Sequence, residues 1–163
     1  MTPKCTNLAS LHDDDARRIA VHEAGHAIAG VRLEKTFDHV EIGDHERGQV
    51  VWTHDPFDPE KEDQSPEELR AWQTIYAAGA AAEQAYFGEI RRHAIRCDQI
   101  CHIRMDKRRK EGVVDLFENA LERASNLMNV AELKAVADQL VAVRKIDFDG
   151  IAKLIGYIPS WER

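Results

Sequence analysis

The stretch His22-Glu23-Ala24-Gly25-His26 decides how this chain is interpreted, and it lies inside the largely apolar run Ala16–Arg32. On a helix, residues i and i+4 share one face, so both imidazoles can reach one metal ion. Imidazole nitrogen is a common zinc ligand, and a catalytic zinc keeps one position for water. The pattern predicts that His22 and His26 bind zinc and that Glu23 is the general base for that water.

The alternative interpretation is a solvated helix face that carries two histidines by chance. The apolar residues around the motif argue against it, because imidazoles in a nearly buried segment need polar partners and a metal supplies one. Gly25 costs about 1 kcal/mol relative to alanine inside a helix. A glycine there predicts the close approach of another backbone.

Composition limits the class of protein. The 163 residues predict a single domain over 1–163, with 1–12 as a loose N-terminal arm. Apolar residues at 44% and charged residues at 31% are typical of a soluble globular protein. The net charge of −7 argues against a nucleic-acid-binding surface, and the basic cluster Arg104–Lys110 is interpreted as a solvated helix face.

Three cysteines, an odd number, do not form a disulfide framework and indicate a reducing compartment, the cytoplasm. The residues Met1–Ser10 lack the apolar core of a secretion signal. The chain also has no apolar run of about 18 residues, so no membrane span is expected.

Hydrophobic periodicity and turn residues predict a mainly α fold with one small β-hairpin. The first predicted helix runs from Asp13-Asp14-Asp15 to about Leu33 and is followed by a hairpin within Phe37–His54 and a loop over Asp55–Pro66. A second helix is predicted from Ser65-Pro66 to Phe87 and stops at Gly88. The later predicted helices cover Cys97–Lys110, Val114–Met128, Val130–Lys145 and, after the cap Asp147-Phe148-Asp149, Gly150–Ile155. The small residues of the second helix predict tight packing against the Gly25 face of the first.

A third zinc ligand is needed, and the residues leave several candidates: Asp98, Glu83, Cys97, Cys101, His93 and His102. A carboxylate is favoured because two histidines and a carboxylate form a common hydrolytic set. Asp98 has the alternative role of an acid at a helix N-terminus. Glu83 lies in an alanine-rich helix, where it is suited to accept the second N–H of a ligand histidine.

Cys97 and Cys101 stand four residues apart, with His102 next in the chain. This spacing allows a separate metal cluster, or a thiolate ligand for the histidine pair. A single Cys-x3-Cys is a weak signal, and buried free cysteines are the favoured interpretation.

Two motifs resemble one known family. Ala20-Val21-His22-Glu23-Ala24-Gly25-His26-Ala27 resembles the active-site helix of the FtsH family, the AAA+ zinc proteases of bacterial and organellar membranes. The run Ala77–Glu89 is similar to that family's second signature, A-G-x-x-A-E-E-x-x-F-G. Arg96-Cys97-Asp98-Gln99-Ile100 aligns, more weakly, with the family's S-N-D-[IL] segment. The resemblance, which covers about 13–155, implies a helical zinc-peptidase domain with one zinc ion per chain and Asp98 as the third ligand.

The resemblance also implies how a substrate binds. The family has a strand that borders the substrate groove, and Gly48–Thr53 resembles it. An extended peptide can add to such a strand through main-chain hydrogen bonds. The predicted substrate strand is Gln49-Val50-Val51-Trp52-Thr53.

Several features depart from the family. The 163 residues contain no G-x-x-x-x-G-K-[ST] phosphate-binding motif and no transmembrane anchor, and Arg92–Asp98 replaces the family's T-G-A-S-N-D. The expected activity is therefore ATP-independent cleavage of peptides or unstructured polypeptides, with a separate unfoldase or a regulator as a further partner. The family's ring assembly does not transfer.

Two other functions remain open. The first alternative is a metal-bearing peptide-interaction or regulatory module without turnover. The intact Glu23 argues against it, because a pure binding site needs no base. The second alternative is a small regulatory peptidase of the repressor-cleaving kind, with one specific protein target.

Overall fold

Six helices and three short strands make up the part of the chain that the computed structural model describes, residues 13–43, 47–54, 65–91, 96–107 and 115–163. In chain order they are α1 (Asp13–Arg32), β1 (Phe37–Ile42), β2 (Gly48–Trp52), α2 (Pro66–Phe87), α3 (Arg96–Asp106), α4 (Phe117–Ser125), α5 (Val130–Val143), β3 (Lys145–Asp147) and α6 (Phe148–Leu154), followed by a 3-10 turn at Ser160–Glu162. The mainly α class is confirmed. The predicted N-terminal arm and residues 55–64 of the predicted loop lie outside the described ranges.

Helix α1 is the central element, because α2, α5, α6 and the strands β1 and β2 all contact it. Its middle is closed to solvent on every side: Ala20, Val21, Ala24, Ala27 and Ile28 have no exposed surface. A helix segment with apolar residues on several faces is typical of a helix in the core. The low polarity of this segment therefore reflects its position in the core.

Helix α2 lies directly against α1. A Cβ atom added at Gly25 would lie 2.3 Å from the carbonyl oxygen of Ala78 and 2.6 Å from the Cβ atom of Ala82, so a side chain does not fit there. This confirms the predicted packing of the alanine-rich helix on the Gly25 face. The predicted ends are also confirmed: the Ser65 side chain accepts the Glu68 N–H at 3.1 Å, and Gly88 ends the helix with a φ of 75°.

The strands form one antiparallel sheet in the order β2-β1-β3. The predicted β1–β2 hairpin is confirmed. Strand β3 differs from the prediction, which places Lys145 at the end of the fifth helix and Asp147 in the cap of the last helix. The fifth helix ends instead at Val143, where Arg144 takes a left-handed conformation with a φ of 67°. The sheet leaves β2 at one edge.

The remaining helices are shorter or shifted relative to the sequence prediction. Helix α3 begins one residue early, at Arg96, and ends at Asp106; residues 108–110 of the predicted helix lie outside the described ranges. Helix α4 covers less than its predicted span, and α6 begins at Phe148, two residues before the predicted start.

Polar contacts hold α3 against its neighbours. His102 is buried and donates a hydrogen bond from Nε2 to the carbonyl oxygen of Asp115 at 2.5 Å. The Asp115 carboxylate in turn pairs with Arg123 of α4, with Nη1 and Oδ1 3.0 Å apart. Met105 adds a fully buried apolar contact on the same helix. Because α3 is fixed in this way, its first turn has a defined position beside α1.

Within the described residues, none of the helices combines the length and the apolar character that crossing a bilayer requires.

Candidate metal centre

Two imidazoles face each other on α1. His22 and His26 lie one helical turn apart, and their Nε2 atoms are 3.1 Å from each other. Both residues are buried, with 9% and 8% of their surface exposed. The predicted i, i+4 pair is therefore present on one face of the helix, at a depth where imidazoles need partners.

Asp98 joins this pair from the first turn of α3. Its Oδ2 atom lies 3.2 Å from Nε2 of His22 and 3.5 Å from Nε2 of His26. Zinc–ligand bonds of about 2.0–2.1 Å in a tetrahedron place neighbouring ligand atoms about 3.3 Å apart. The three atoms thus have the mutual spacing of ligands around one small cation.

The other candidates for a third ligand lie elsewhere. Glu83 contacts the opposite edge of the His22 ring, and His102 is engaged with the backbone of Asp115. Cys97 is exposed and Cys101 is partly buried, and both are free thiols. Among the described residues, His22, His26 and Asp98 are the group whose ligand atoms lie within 4.8 Å of one another. His93 lies outside the described residues.

The Nδ1 atoms of both histidines are occupied by acceptors from α2. His22 donates from Nδ1 to Oε1 of Glu83 at 2.8 Å, and His26 donates from Nδ1 to the carbonyl oxygen of Ile75 at 2.7 Å. A carbonyl oxygen accepts only, so the proton of a neutral His26 is on Nδ1. Each neutral ring therefore presents an Nε2 lone pair to Asp98, which is the form that binds metal.

Glu83 is the buried carboxylate behind His22. Its Oε2 atom accepts the backbone N–H of Arg91 at 3.2 Å and lies 3.5 Å from Nη1 of Arg18. Burial raises the pKa of Glu83, but the contacts with His22 and the Arg91 N–H outweigh this and lower the pKa below its usual value. Glu83 is therefore ionised, and it suits the role predicted for it, that of acceptor for the second N–H of a ligand histidine.

The residues fit a divalent cation. Asp98 Oδ2 is buried and receives no hydrogen bond of ordinary geometry, although two nitrogen atoms lie close to it. When both imidazoles are neutral, Nε2 of His22, Nε2 of His26 and Oδ2 of Asp98 all carry lone pairs. These atoms repel one another unless a cation or a proton lies between them. Gly79 of α2 borders the same space: a Cβ atom there would lie 2.5 Å from Nε2 of His22 and 2.6 Å from Nε2 of His26.

The pKa values of His22 and Asp98 also indicate that the site favours positive charge. Burial lowers the pKa of His22, but the carboxylates of Asp98 and Glu83 outweigh burial and raise it to about 10. Burial raises the pKa of Asp98, and the charges of His26 and His22 overcome this and lower it to about 2. Both shifts indicate that the surroundings of these atoms stabilise positive charge at the point where they meet.

Glu23 lies beside the centre and is 9% exposed. Burial raises the pKa of its carboxyl group, and the positive charges of His26 and His22 only partly offset this. A raised pKa brings a carboxylate nearer to the range in which a general base is efficient. The side chain is in contact with Gly48, the first residue of β2.

The predicted substrate strand is largely the edge strand of the sheet. Four of its residues, Gln49, Val50, Val51 and Trp52, belong to β2. In the described sheet, β2 has β1 on one side and no strand on the other. Thr53 follows the end of the strand and donates its backbone N–H to the carbonyl oxygen of Thr36 at 3.2 Å. In the part of the chain that the structure describes, β2 is thus an edge strand beside Glu23, which is the arrangement that an added peptide strand requires.

The roles of three groups at the site were not predicted from the sequence. Gly79 had a detectable signal, since a glycine in an alanine run weakens the helix without an evident local reason. Gly48 and the carbonyl oxygen of Ile75 had none, because their roles depend on which backbone comes close in the folded chain.

No protein-family model matches this chain, and no curated protein is significantly similar to it. The similarity to the FtsH family consequently remains a prediction that depends on the quoted motifs.

Proposed function

We propose that this chain is a zinc-dependent, ATP-independent metallopeptidase that hydrolyses peptide bonds of unstructured polypeptides. One observation carries the proposal: Nε2 of His22, Nε2 of His26 and Oδ2 of Asp98 lie within 3.1–3.5 Å of one another beside a buried glutamate. The FtsH-like motifs support the same chemistry. The odd cysteine count supports the cytoplasm as its compartment.

In this proposal His22, His26 and Asp98 hold one zinc ion. A zinc ion so bound supplies a water of lowered pKa and polarises the carbonyl group of the scissile bond. Glu23 accepts the proton of the attacking water and later donates it to the leaving amine. Glu83 keeps the His22 ring in the orientation and tautomer that zinc binding needs.

The substrate is proposed to bind as an added strand along β2, the edge strand of the described sheet. Main-chain hydrogen bonds to Gln49–Trp52 would give affinity without strict sequence preference, which suits unstructured polypeptides. The 163 residues contain no phosphate-binding loop motif, so a folded substrate would need a separate unfoldase or a regulator as partner.

The test is hydrolysis of a fluorescein-labelled unstructured polypeptide by the zinc-loaded chain, with and without a chelator. Glu23→Gln should keep one zinc ion and lose activity by about 10²–10⁴-fold, the contribution of a general base. Glu67→Gln, at an exposed position in the first turn of α2, is the matched control and should cleave normally. Undiminished cleavage by Glu23→Gln would refute the assignment, and a zinc-bound wild-type chain that cleaves no peptide would favour the binding module.

A further inference from the structure

Strand β2 touches the proposed base through a residue that has no side chain. Gly48 begins β2 and pairs with Ile42 of β1 in the hairpin. A Cβ atom added at Gly48 would lie 2.3 Å from Cγ of Glu23 and 2.8 Å from both Cδ and Oε1. These separations are far below van der Waals contact, so the observed Glu23 conformation requires glycine at position 48.

We infer that Gly48 is a positioning residue, whose bare backbone sets the conformation of the Glu23 side chain beside the metal centre. The inference deepens the proposed function and rests on it for its catalytic consequence. The contact itself is independent of that function, because it concerns two groups of this chain that pack against each other.

The clash falls on the middle of the Glu23 side chain, and this decides which group must move. The three atoms nearest to the added Cβ all belong to Glu23, and none belongs to backbone. Helix α1 is closed on all sides around Ala20, Val21 and Ala24, so the helix does not shift easily. An alanine at position 48 would therefore turn the Glu23 side chain into another rotamer and displace its carboxylate.

The same contact connects substrate binding with the base. The edge strand that is proposed to receive the peptide begins at the residue that restrains Glu23. The distance from the peptide to the carboxylate is then set by one short stretch of backbone rather than by a flexible loop. Catalytic groups held within about 0.5 Å of their productive geometry need this kind of rigid support.

The chain offers a matched control in the same hairpin. A Cβ atom added at Gly43 would meet the carbonyl oxygen of Arg47 at 3.5 Å, an ordinary contact. Neither Gly43 nor Gly48 is among the glycines with positive φ, so alanine is compatible with the backbone at both positions. Gly48→Ala and Gly43→Ala thus make the same chemical change, and only the first meets Glu23.

The first measurement is kinetic, on zinc-loaded protein. Gly48→Ala should keep its zinc and its KM but lower kcat at least about tenfold, up to the 10²–10⁴-fold that complete loss of a general base costs. Gly43→Ala should match the wild type in all three quantities. Wild-type kcat in Gly48→Ala would overturn the inference and leave the proposed function standing, whereas an inactive wild type would overturn the proposed function alone.

The second measurement does not depend on activity. In a double-mutant cycle on metal-free protein, Gly48→Ala should lower Tm in the wild-type background but not in the Glu23→Ala background, where the clashing atoms are gone. Equal Tm shifts in the two backgrounds would overturn the inference. Should Gly48→Ala fail to fold, a folded Gly48→Ala/Glu23→Ala double variant supports the inference, and an unfolded double variant overturns it.

Discussion

Nδ1 of His22 lies 2.8 Å from Oε1 of Glu83, a buried carboxylate that reaches it from the neighbouring helix α2. The same helix supplies the carbonyl oxygen of Ile75 to His26. Helix α2 thus orients both imidazoles although it contributes none of the three proposed ligands. The packing of α2 on α1, which Gly25 permits, is therefore also what prepares the metal centre.

Replacing Glu83 should weaken zinc binding while leaving the ligands themselves in place. Glu83→Ala removes the acceptor of the His22 N–H, and loss of such a partner lowers metal affinity about 10–100-fold. Glu83→Gln keeps an acceptor oxygen and should lose less. Competition with a chromophoric chelator measures the affinities.

The control for Glu83 is Glu89→Gln. Glu89 also pairs with Arg18, but its side chain is 68% exposed and does not contact a proposed ligand. Its replacement should leave zinc affinity unchanged. If Glu83→Ala binds zinc as tightly as the wild type, the orienting role of Glu83 is wrong.

Asp98→Ala should abolish stable zinc retention, because two imidazoles alone do not form a closed three-ligand set. We expect less than one zinc ion per chain after dialysis, measured by elemental analysis. Gln99→Ala, in the same turn of α3, should retain a full equivalent. Full retention by Asp98→Ala would move the third ligand to another residue.

The local part of the site was predictable from the residues alone, whereas for the distant ligand only the family resemblance singled out Asp98. His22 and His26 belong to one helical turn, so their spacing in the sequence already places them together. Asp98 reaches them because α3 packs against α2, and from the residues alone it was one of six candidates. The role of Ile75 is carried by a backbone oxygen, which every residue type possesses.

In the fold, too, local features could be predicted from the sequence and tertiary contacts could not. The long helices follow from periodicity and caps, such as Ser65 and Gly88 around α2. Strand β3 has three residues, Lys145–Asp147, and follows a non-glycine residue in the left-handed conformation. Its pairing with β1 is a tertiary contact, and three residues are too few to show an alternating pattern.

Gly25 of α1 and Gly79 of α2 both lie where these helices pack together, and replacing them by alanine should affect stability and zinc binding differently. Gly25→Ala meets the backbone of Ala78 and should destabilise the fold by about 1–3 kcal/mol or more, as overpacking does. Gly79→Ala meets the two imidazoles instead, and alanine improves helix propensity by about 1 kcal/mol. Its metal-free Tm should fall less than that of Gly25→Ala, because side chains rather than backbone must move, while zinc no longer raises Tm.

Thermal melts with zinc or with a chelator separate these two effects. A Gly79→Ala variant that zinc stabilises as strongly as the wild type would show that the space beside Gly79 is not needed for metal binding. A Gly25→Ala variant of unchanged stability would contradict the close contact of α1 with α2.

The stabilisation of the fold by zinc should increase with pH. In the metal-free protein the pKa of His22 is raised to about 10, above its usual value of about 6.5. The bound proton therefore stabilises the metal-free fold fully below about pH 6.5, and this contribution is lost as the pH rises toward 10. The lowered pKa of Asp98, about 2, matters only in acid, since its contribution is lost below about pH 4.

Zinc needs the same Nε2 atom without its proton, so zinc affinity increases over the range in which the metal-free fold loses stability. The Tm difference between zinc-loaded and chelator-treated protein should therefore widen between pH 6 and pH 8.5, the range to scan by differential scanning fluorimetry. Asp98→Asn lacks the third ligand and one of the carboxylates that raise the pKa of His22, so its Tm difference should be small and nearly independent of pH. A wild-type difference that narrows as the pH rises would contradict competition between a proton and a metal ion at this centre.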